Sequence, residues 1–202
     1  MDAMIDHLVV TAASLDEGCD WVEARLGVRP GPGGQHALMG THNRLLGLGP
    51  DTYLEVIAID PGAAPPGRAR WFGLDARRGP PRLTHWVMRV PDLGAALAAA
   101  PEGAGQATPL SRGPYRWRFA VTADGHQPFD SLYPALIDWQ GPRHPARDLP
   151  DMGIRLVRLG LSHPDAARLA GCLPGADPRL SVTEGPARLS ARVATADGER
   201  EL

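Results

Sequence analysis

Ile5-Asp6-His7-Leu8-Val9-Val10-Thr11 is an apolar, β-branched run interrupted by one acid and one imidazole, and Ser14-Leu15-Asp16-Glu17 follows closely. Ser-x-x-Glu is a capping box, in which the hydroxyl and the carboxylate satisfy backbone amides that a helix start leaves unpaired. Leu15, Cys19, Val22 and Leu26 then recur at helical spacing, and Gly27 is a helix stop. The stretch therefore reads as a strand feeding a capped helix. The same pairing returns twice. Leu83-Thr84-His85-Trp86-Val87-Met88-Arg89-Val90 precedes Pro91-Asp92 and the Ala-rich run 93–100, with Asp92 as N-cap; residues 154–161 precede Pro164-Asp165 and the run 166–173.

Each predicted helix gives way to a Gly/Pro-rich turn and then to strand-like runs. These are 44–48 and 53–59 in the first unit, 116–121 and 132–139 in the second, and 179–183 and 187–193 in the third. The expected fold class is α+β: tandem βαβββ modules over residues 1–62 and 80–148, forming a cupped, partly open mixed β-barrel. A truncated βαββ unit over 152–202 ends the chain. The Pro-rich stretches 62–67 and 141–151 read as linkers. A parallel nucleotide-binding fold is disfavoured, because no G-x-G-x-x-G or G-x-x-x-x-G-K follows a strand.

Composition narrows the function. The 202 residues are 43% hydrophobic, enough for a buried core, and include 24 Gly and 21 Pro. No apolar run approaches the roughly 18–20 residues needed to cross a bilayer, and residues 1–7 show no cationic start leading into an apolar segment, so no signal peptide is expected. The 21 bases, all Arg, and 23 acids give a net charge of -2 without a basic cluster, so a nucleic-acid partner is not expected. Cys19 and Cys172 fall inside predicted helices and read as small buried hydrophobes in a reducing cytoplasm.

The opening Ile5–Val10 strand resembles the hDHhhh strand of glyoxalase-like proteins in the vicinal oxygen chelate superfamily. Gly33-Gly34-Gln35-His36, Met39-Gly40-Thr41-His42-Asn43-Arg44-Leu45 and Tyr53-Leu54-Glu55-Val56-Ile57-Ala58-Ile59-Asp60 resemble the "GGxH…GTxNxl…YlElia(v/i)d" string of its glyoxalase-like subgroup. Ile137-Asp138-Trp139 with His144-Pro145-Ala146 looks like the matching end of the second module, so that the resemblance covers about residues 5–147. It implies the cupped barrel and a divalent metal within the cup. Matched position by position, His7 and Glu55 are ligands from the first module, His85 from the second, and the fourth ligand falls on or near Asp138. In the third unit Arg158 takes the corresponding place and cannot ligate.

The residues argue alongside the resemblance. Glu55 lies in a continuously apolar strand, where an unpaired carboxylate is costly, so it requires a metal, a base or a hydrogen-bonded partner such as Arg. His7 and His85 stand at the same offset from their helix caps, Ser14 and Asp92, and two equivalent imidazoles in a duplicated unit are expected to converge. Two His and a carboxylate suit Zn, Ni, Co, Mn or Fe(II). Such a cation stabilises an enolate or alkoxide on a substrate with neighbouring oxygens, while Glu55 or Asp138 shuttles the proton. His36, His42 and Asn43 are candidates for substrate oxygens, and Arg118 for a substrate carboxylate. The expectation is thus a metal-dependent lyase or isomerase acting on a small oxygen-rich molecule, with no nucleic-acid or membrane partner and a homodimer permitted. The alternatives are a metal-free binding protein like the bleomycin-resistance relatives, and an Fe(II) ring-cleaving dioxygenase using His7, His85 and Glu55.

Overall fold

The Ser14 hydroxyl accepts a hydrogen bond from the Glu17 amide at 3.2 Å, and the Glu17 carboxylate accepts one from Ala13 N–H at 3.2 Å. This caps α1 (Leu15–Leu26), which ends at Gly27 with φ 72°, a left-handed conformation suited to glycine. α1 buries Gly18, Cys19, Val22 and Leu26. A Cβ at Gly18 would stand 2.4 Å from Val56, so glycine is what lets the helix lie close on the sheet.

The computed structural model describes residues 3–202. Around α1 the first unit comprises β1 (Met4–Thr11), β2 (Gln35–His36), β3 (Thr41–Gly47) and β4 (Tyr53–Ile59). The second has β5 (Arg82–Arg89), α2 (Leu93–Ala99), β6 (Gln106–Arg112), β7 (Tyr115–Val121), the short turn α3 (Pro128–Ser131) and β8 (Ala135–Trp139), followed by α4 (Pro145–Asp148). In each unit the first strand runs parallel to the last, β1 with β4 and β5 with β8. β1 and β5 pair antiparallel and fuse the units into one eight-stranded sheet, ordered β2-β3-β4-β1-β5-β8-β7-β6. Asn43 on β3 hydrogen-bonds Arg112 on β6, so the sheet curls until its two ends almost meet. The expected mixed, barrel-like cup is present.

The sheet is buried on both faces, which accounts for its nearly continuous apolar strands. Leu8, Val10, Leu54, Val56, Trp86 and Met88 pack outward in the larger core with the helices. Val9, Ile57, Val87, Phe119 and Ile137 face into the cup. Between the modules, Trp71–Ala76 forms a 3-10 segment that folds into the mouth of the cup and buries Trp71, Phe72 and Leu74. Phe72 (φ 58°) and Gly73 (φ 60°) are both left-handed there.

The third unit contains β9 (Arg155–His163), α5 (Ala166–Cys172), β10 (Leu180–Glu184), β11 (Arg188–Thr195) and β12 (Gly198–Glu201) in a separate sheet ordered β10-β9-β11-β12. The βαββ expectation was one strand short, since β12 is a wholly exposed Gly-Glu-Arg-Glu run with no apolar alternation to reveal it. Leu156, Leu159, Leu161, Ala191 and Val193 join the outer core. Asp177, held by Arg179, also accepts a hydrogen bond from Ile5 N–H at 3.1 Å, which ties this unit to β1. Both cysteines are free, and among the described residues no helix is long and apolar enough to cross a membrane.

Candidate active site

β1 and β5 pair with Ile5 opposite Met88 and His7 opposite Val87, so Asp6 is an extra residue in the ladder, a bulge. A bulge re-aims side chains that would otherwise alternate. Here it buries Asp6 completely, beside His7. The Asp6 carboxylate accepts from His7 Nδ1 at 2.6 Å, from His144 Nε2 at 2.8 Å and from Trp139 Nε1 at 2.9 Å. Burial opposes its ionisation, but the hydrogen bonds from His144 and His7 hold it far below the ordinary carboxylate range.

With its Nδ1 on Asp6, His7 presents Nε2 to Glu55 Oε2 at 3.6 Å, and Tyr53 stacks on the ring at 4.5 Å between centroids. Burial, then the neighbouring Asp6 and Glu55 carboxylates, push the Tyr53 phenol well above its usual value, so it stays neutral. Glu55 Oε1 accepts from Asn43 Nδ2 at 2.5 Å and lies 4.0 Å from His36 Nε2. Burial, reinforced by the charges of Arg112, His7 and His42, pushes His36 down to about 3 and keeps it uncharged. Asn43 Oδ1 accepts from Gly34 N–H and Arg112 Nη1, each at 2.8 Å, which orients the amide so that its NH₂ faces Glu55.

Gly33 and Gly34 make this arrangement possible. A Cβ on Gly33 would stand 2.2 Å from the Asn43 carbonyl oxygen, and one on Gly34 would stand 2.6 Å from Arg112 Cδ. His7, His36, Asn43, Tyr53, Glu55 and Arg112 together line a small cavity of about 30 Å³. Its remaining wall is largely aromatic: Trp71, Phe72, Trp117, Phe119 and Trp139.

The profile of the glyoxalase-like domain matches residues 5–175, most of the chain. The chain belongs to the glyoxalase-like domain family. The glyoxalase-like resemblance of the sequence motifs is borne out. A hypothetical protein from Staphylococcus aureus shares the fold, with a TM-score of 0.61 at 12% identity over 85% of this chain and 73% of its own. Methylmalonyl-CoA epimerase from Mycobacterium tuberculosis aligns at 20% identity over 69% of this chain and 89% of its own, with a TM-score of 0.43. A hypothetical protein from Bacillus halodurans C-125 aligns at 13% identity over 71% of this chain and 98% of its own, with a TM-score of 0.46. No curated protein matches the sequence.

Of the side chains singled out from the sequence, the glyoxalase-like cup brings together His7, Glu55, His36 and Asn43. The open question about Glu55 is answered by a hydrogen-bonded partner, the Asn43 amide, with His7 alongside. His42 alternates with Asn43 along β3 and lies outside the cavity lining. His85 pairs with Val9 and so shares the cup-facing side of the sheet, but the Phe72 ring packs 5.1 Å from its own and it opens onto a different cleft. Asp138 also turns away from the cup. Its neighbours Ile137 and Trp139 line the cavity, while its own carboxylate points to the opposite face of β8. There it accepts from Arg118, from Gln140 Nε2 at 2.8 Å and from Leu93 N–H at 3.4 Å. Arg118 is thereby engaged by Asp138, 39% exposed, and does not face the cup.

His7, Glu55, His85 and Asp138 are thus not gathered at one point, and no cluster of three or more His, Cys, Asp or Glu among the described residues is arranged to hold a metal ion.

Sequence reasoning missed Asp6, Tyr53, Arg112, Trp139 and His144 as members of this site. Asp6 stands beside His7 in the opening motif, and strand alternation assigns adjacent residues to opposite faces; only the bulge overrules that. Arg112 sits in β6, a run with two prolines' worth of turn signals around it and little apolar alternation. What this cup offers chemically is a carboxylate next to an imidazole backed by a second carboxylate, facing a guanidinium in a cavity walled by aromatic rings.

Proposed function

We propose that the protein is a glyoxalase-type isomerase or lyase that moves a proton on a carbon beside a carbonyl group of a small, oxygen-rich, anionic substrate. The observation that carries this reading is the line Asp6–His7–Glu55 ending in a cavity that Arg112 also lines. Arg112 holds the negatively charged end of the substrate, since a guanidinium matches a carboxylate in charge and in hydrogen-bond geometry. Glu55 accepts the proton from carbon, and Asn43 fixes the direction of its free oxygen. His7 Nε2 then takes the proton or returns it to the product carbon, and Asp6 offsets the positive charge that forms on the ring. The aromatic walls exclude water and strengthen each electrostatic contact.

The test is exchange of substrate-carbon protons for deuterium, followed by NMR over a panel of 2-oxo and 2-hydroxy acids. Wild-type exchange on at least one acid, lost in Glu55→Gln while that acid still binds, supports the proposal. Binding equal in both proteins with no exchange in either supports the rival reading, a sequestering protein of the same family.

A further inference from the structure

Across the Phe72 ring from the Glu55 cavity lies a second, wider cleft of about 540 Å³, bounded by β5, the 3-10 segment, residues 126–132 and the β10–β11 turn of the third unit. His85 lines it. This side chain is 5% exposed, and neither ring nitrogen has a hydrogen-bond partner among the described residues. Arg77, also lining the cleft, buries its Nε and Nη2 in the same unpartnered condition. Buried polar atoms are rarely left without a partner in native proteins, so two such groups on one cleft call for an explanation.

The charge around the cleft is one-sided. Arg78 and Arg82 line it with Arg77 and His126. Their side chains brace the turn through backbone carbonyls, Arg78 Nη1 donating to Arg77 O at 2.7 Å and Arg82 Nη1 to Arg78 O at 3.2 Å. None of these three guanidinium groups is within ion-pair distance of a carboxylate among the described residues. The acids nearby are otherwise engaged: Asp130 faces His163 at 3.3 Å, and Glu201 pairs with Arg188 on the rim at 2.7 Å. Glu17 acts on Arg77 only through space, its carboxylate being bonded to Ala13 N–H.

We propose that this cleft binds a phosphorylated small molecule, with Arg77, Arg78 and Arg82 on the phosphoryl oxygens and His85 on an adjoining hydroxyl or ester oxygen. A phosphoryl group carries about -1.5 to -2 charges at neutral pH and three strong acceptor oxygens, which suits three unpaired guanidinium forks better than a singly charged carboxylate does. His85 complements them differently. Burial, together with the positive charges of His126 and Arg82, pushes it down to about 3, so the neutral ring offers one N–H donor and one lone pair. The third unit acquires a role in this arrangement, because Ala187, Arg188 and Leu189 close one side of the cleft.

Titration calorimetry of the full chain with inorganic pyrophosphate, with acetate as the comparison anion, tests the site. Saturable one-to-one binding is expected, weakened at least tenfold by Arg77→Ala and by Arg82→Ala and unaffected by Arg112→Ala. Arg82 is exposed, so its variant keeps the test readable should Arg77→Ala not fold. In ¹⁵N spectra the His85 ring signals should shift on adding pyrophosphate. Absence of saturable binding, equal affinity for acetate, or affinity unchanged in both arginine variants overturns the proposal. So does sensitivity to Arg112→Ala alone, which places the anion in the Glu55 cavity instead.

Discussion

Replacing Asp6 with Asn tests whether the buried carboxylate at the bulge organises the site. Asp6 accepts from three donors, His7, His144 and Trp139, and is completely buried. Asparagine keeps one acceptor oxygen but turns an NH₂ toward donors, so at least one buried N–H loses its partner and the charge is gone. Removing one side of a buried charged pair costs about 3–5 kcal/mol. For a chain of this size each kcal/mol lowers the midpoint by about 2–4 °C, so Asp6→Asn should melt about 6–20 °C below the wild type. Urea unfolding at pH 7, followed by tryptophan fluorescence, measures the free energy directly. The pH dependence carries its own sign. The folded-state pKa of Asp6 lies below its unfolded value of about 3.9, so its stabilisation is complete above that pH and is lost as pH falls toward the folded value. The gap between the two proteins should hold steady from about pH 5 to 8 and close below about pH 4. A loss under about 1 kcal/mol at pH 7, or a gap that widens in acid, would refute the reasoning.

Other consequences are open to measurement. His36 and His85 are each pushed down to about 3, mainly by burial, so between there and the unfolded value of about 6.5 the unfolded chain binds more protons. Stability should therefore be greatest above about pH 6.5 and fall in acid by up to about 1.4 kcal/mol per pH unit for each ring; His36→Asn should flatten the slope in a urea series. Gly33→Ala places a methyl group 2.2 Å from the Asn43 carbonyl oxygen, so it should cost about 1–3 kcal/mol by overpacking and weaken ligand binding in the cup, whereas Gly171→Ala, with open space around it, should not. Dialysis against Zn, Ni, Co or Mn should leave no stoichiometric ion that depends on His85 or Asp138. Uptake abolished by His85→Ala would restore the four-ligand cup.

Much of the architecture was legible because it repeats and because its signals are local. The capping box at Ser14, the Asp92 cap and the apolar strands before them lie within a few residues of one another, and the structure places strands and helices there. β12 and the 3-10 segment were not legible, the first because it has no apolar face and the second because its burial depends on the cup it plugs. The candidate site divides in the same way. The need for a partner to Glu55 follows from its apolar neighbours alone, and His36 and Asn43 stand in the motif that the glyoxalase-like resemblance rests on.

Which groups meet was decided in three dimensions. The strand period assigns Asp6 and His7 to opposite faces, and a one-residue bulge brings them together. Pairing register sends Asp138 to Arg118 and leaves Ile137 and Trp139 in the cup, since a single step along a strand reverses a side chain's direction. Arg112 reaches Asn43 only because the sheet curls its two ends toward each other. Residue order determines the local elements, through hydrogen bonds and periodicities spanning a few positions. The chemistry of the cup depends on long-range register and curvature, which arise only when distant strands pair and bury their faces.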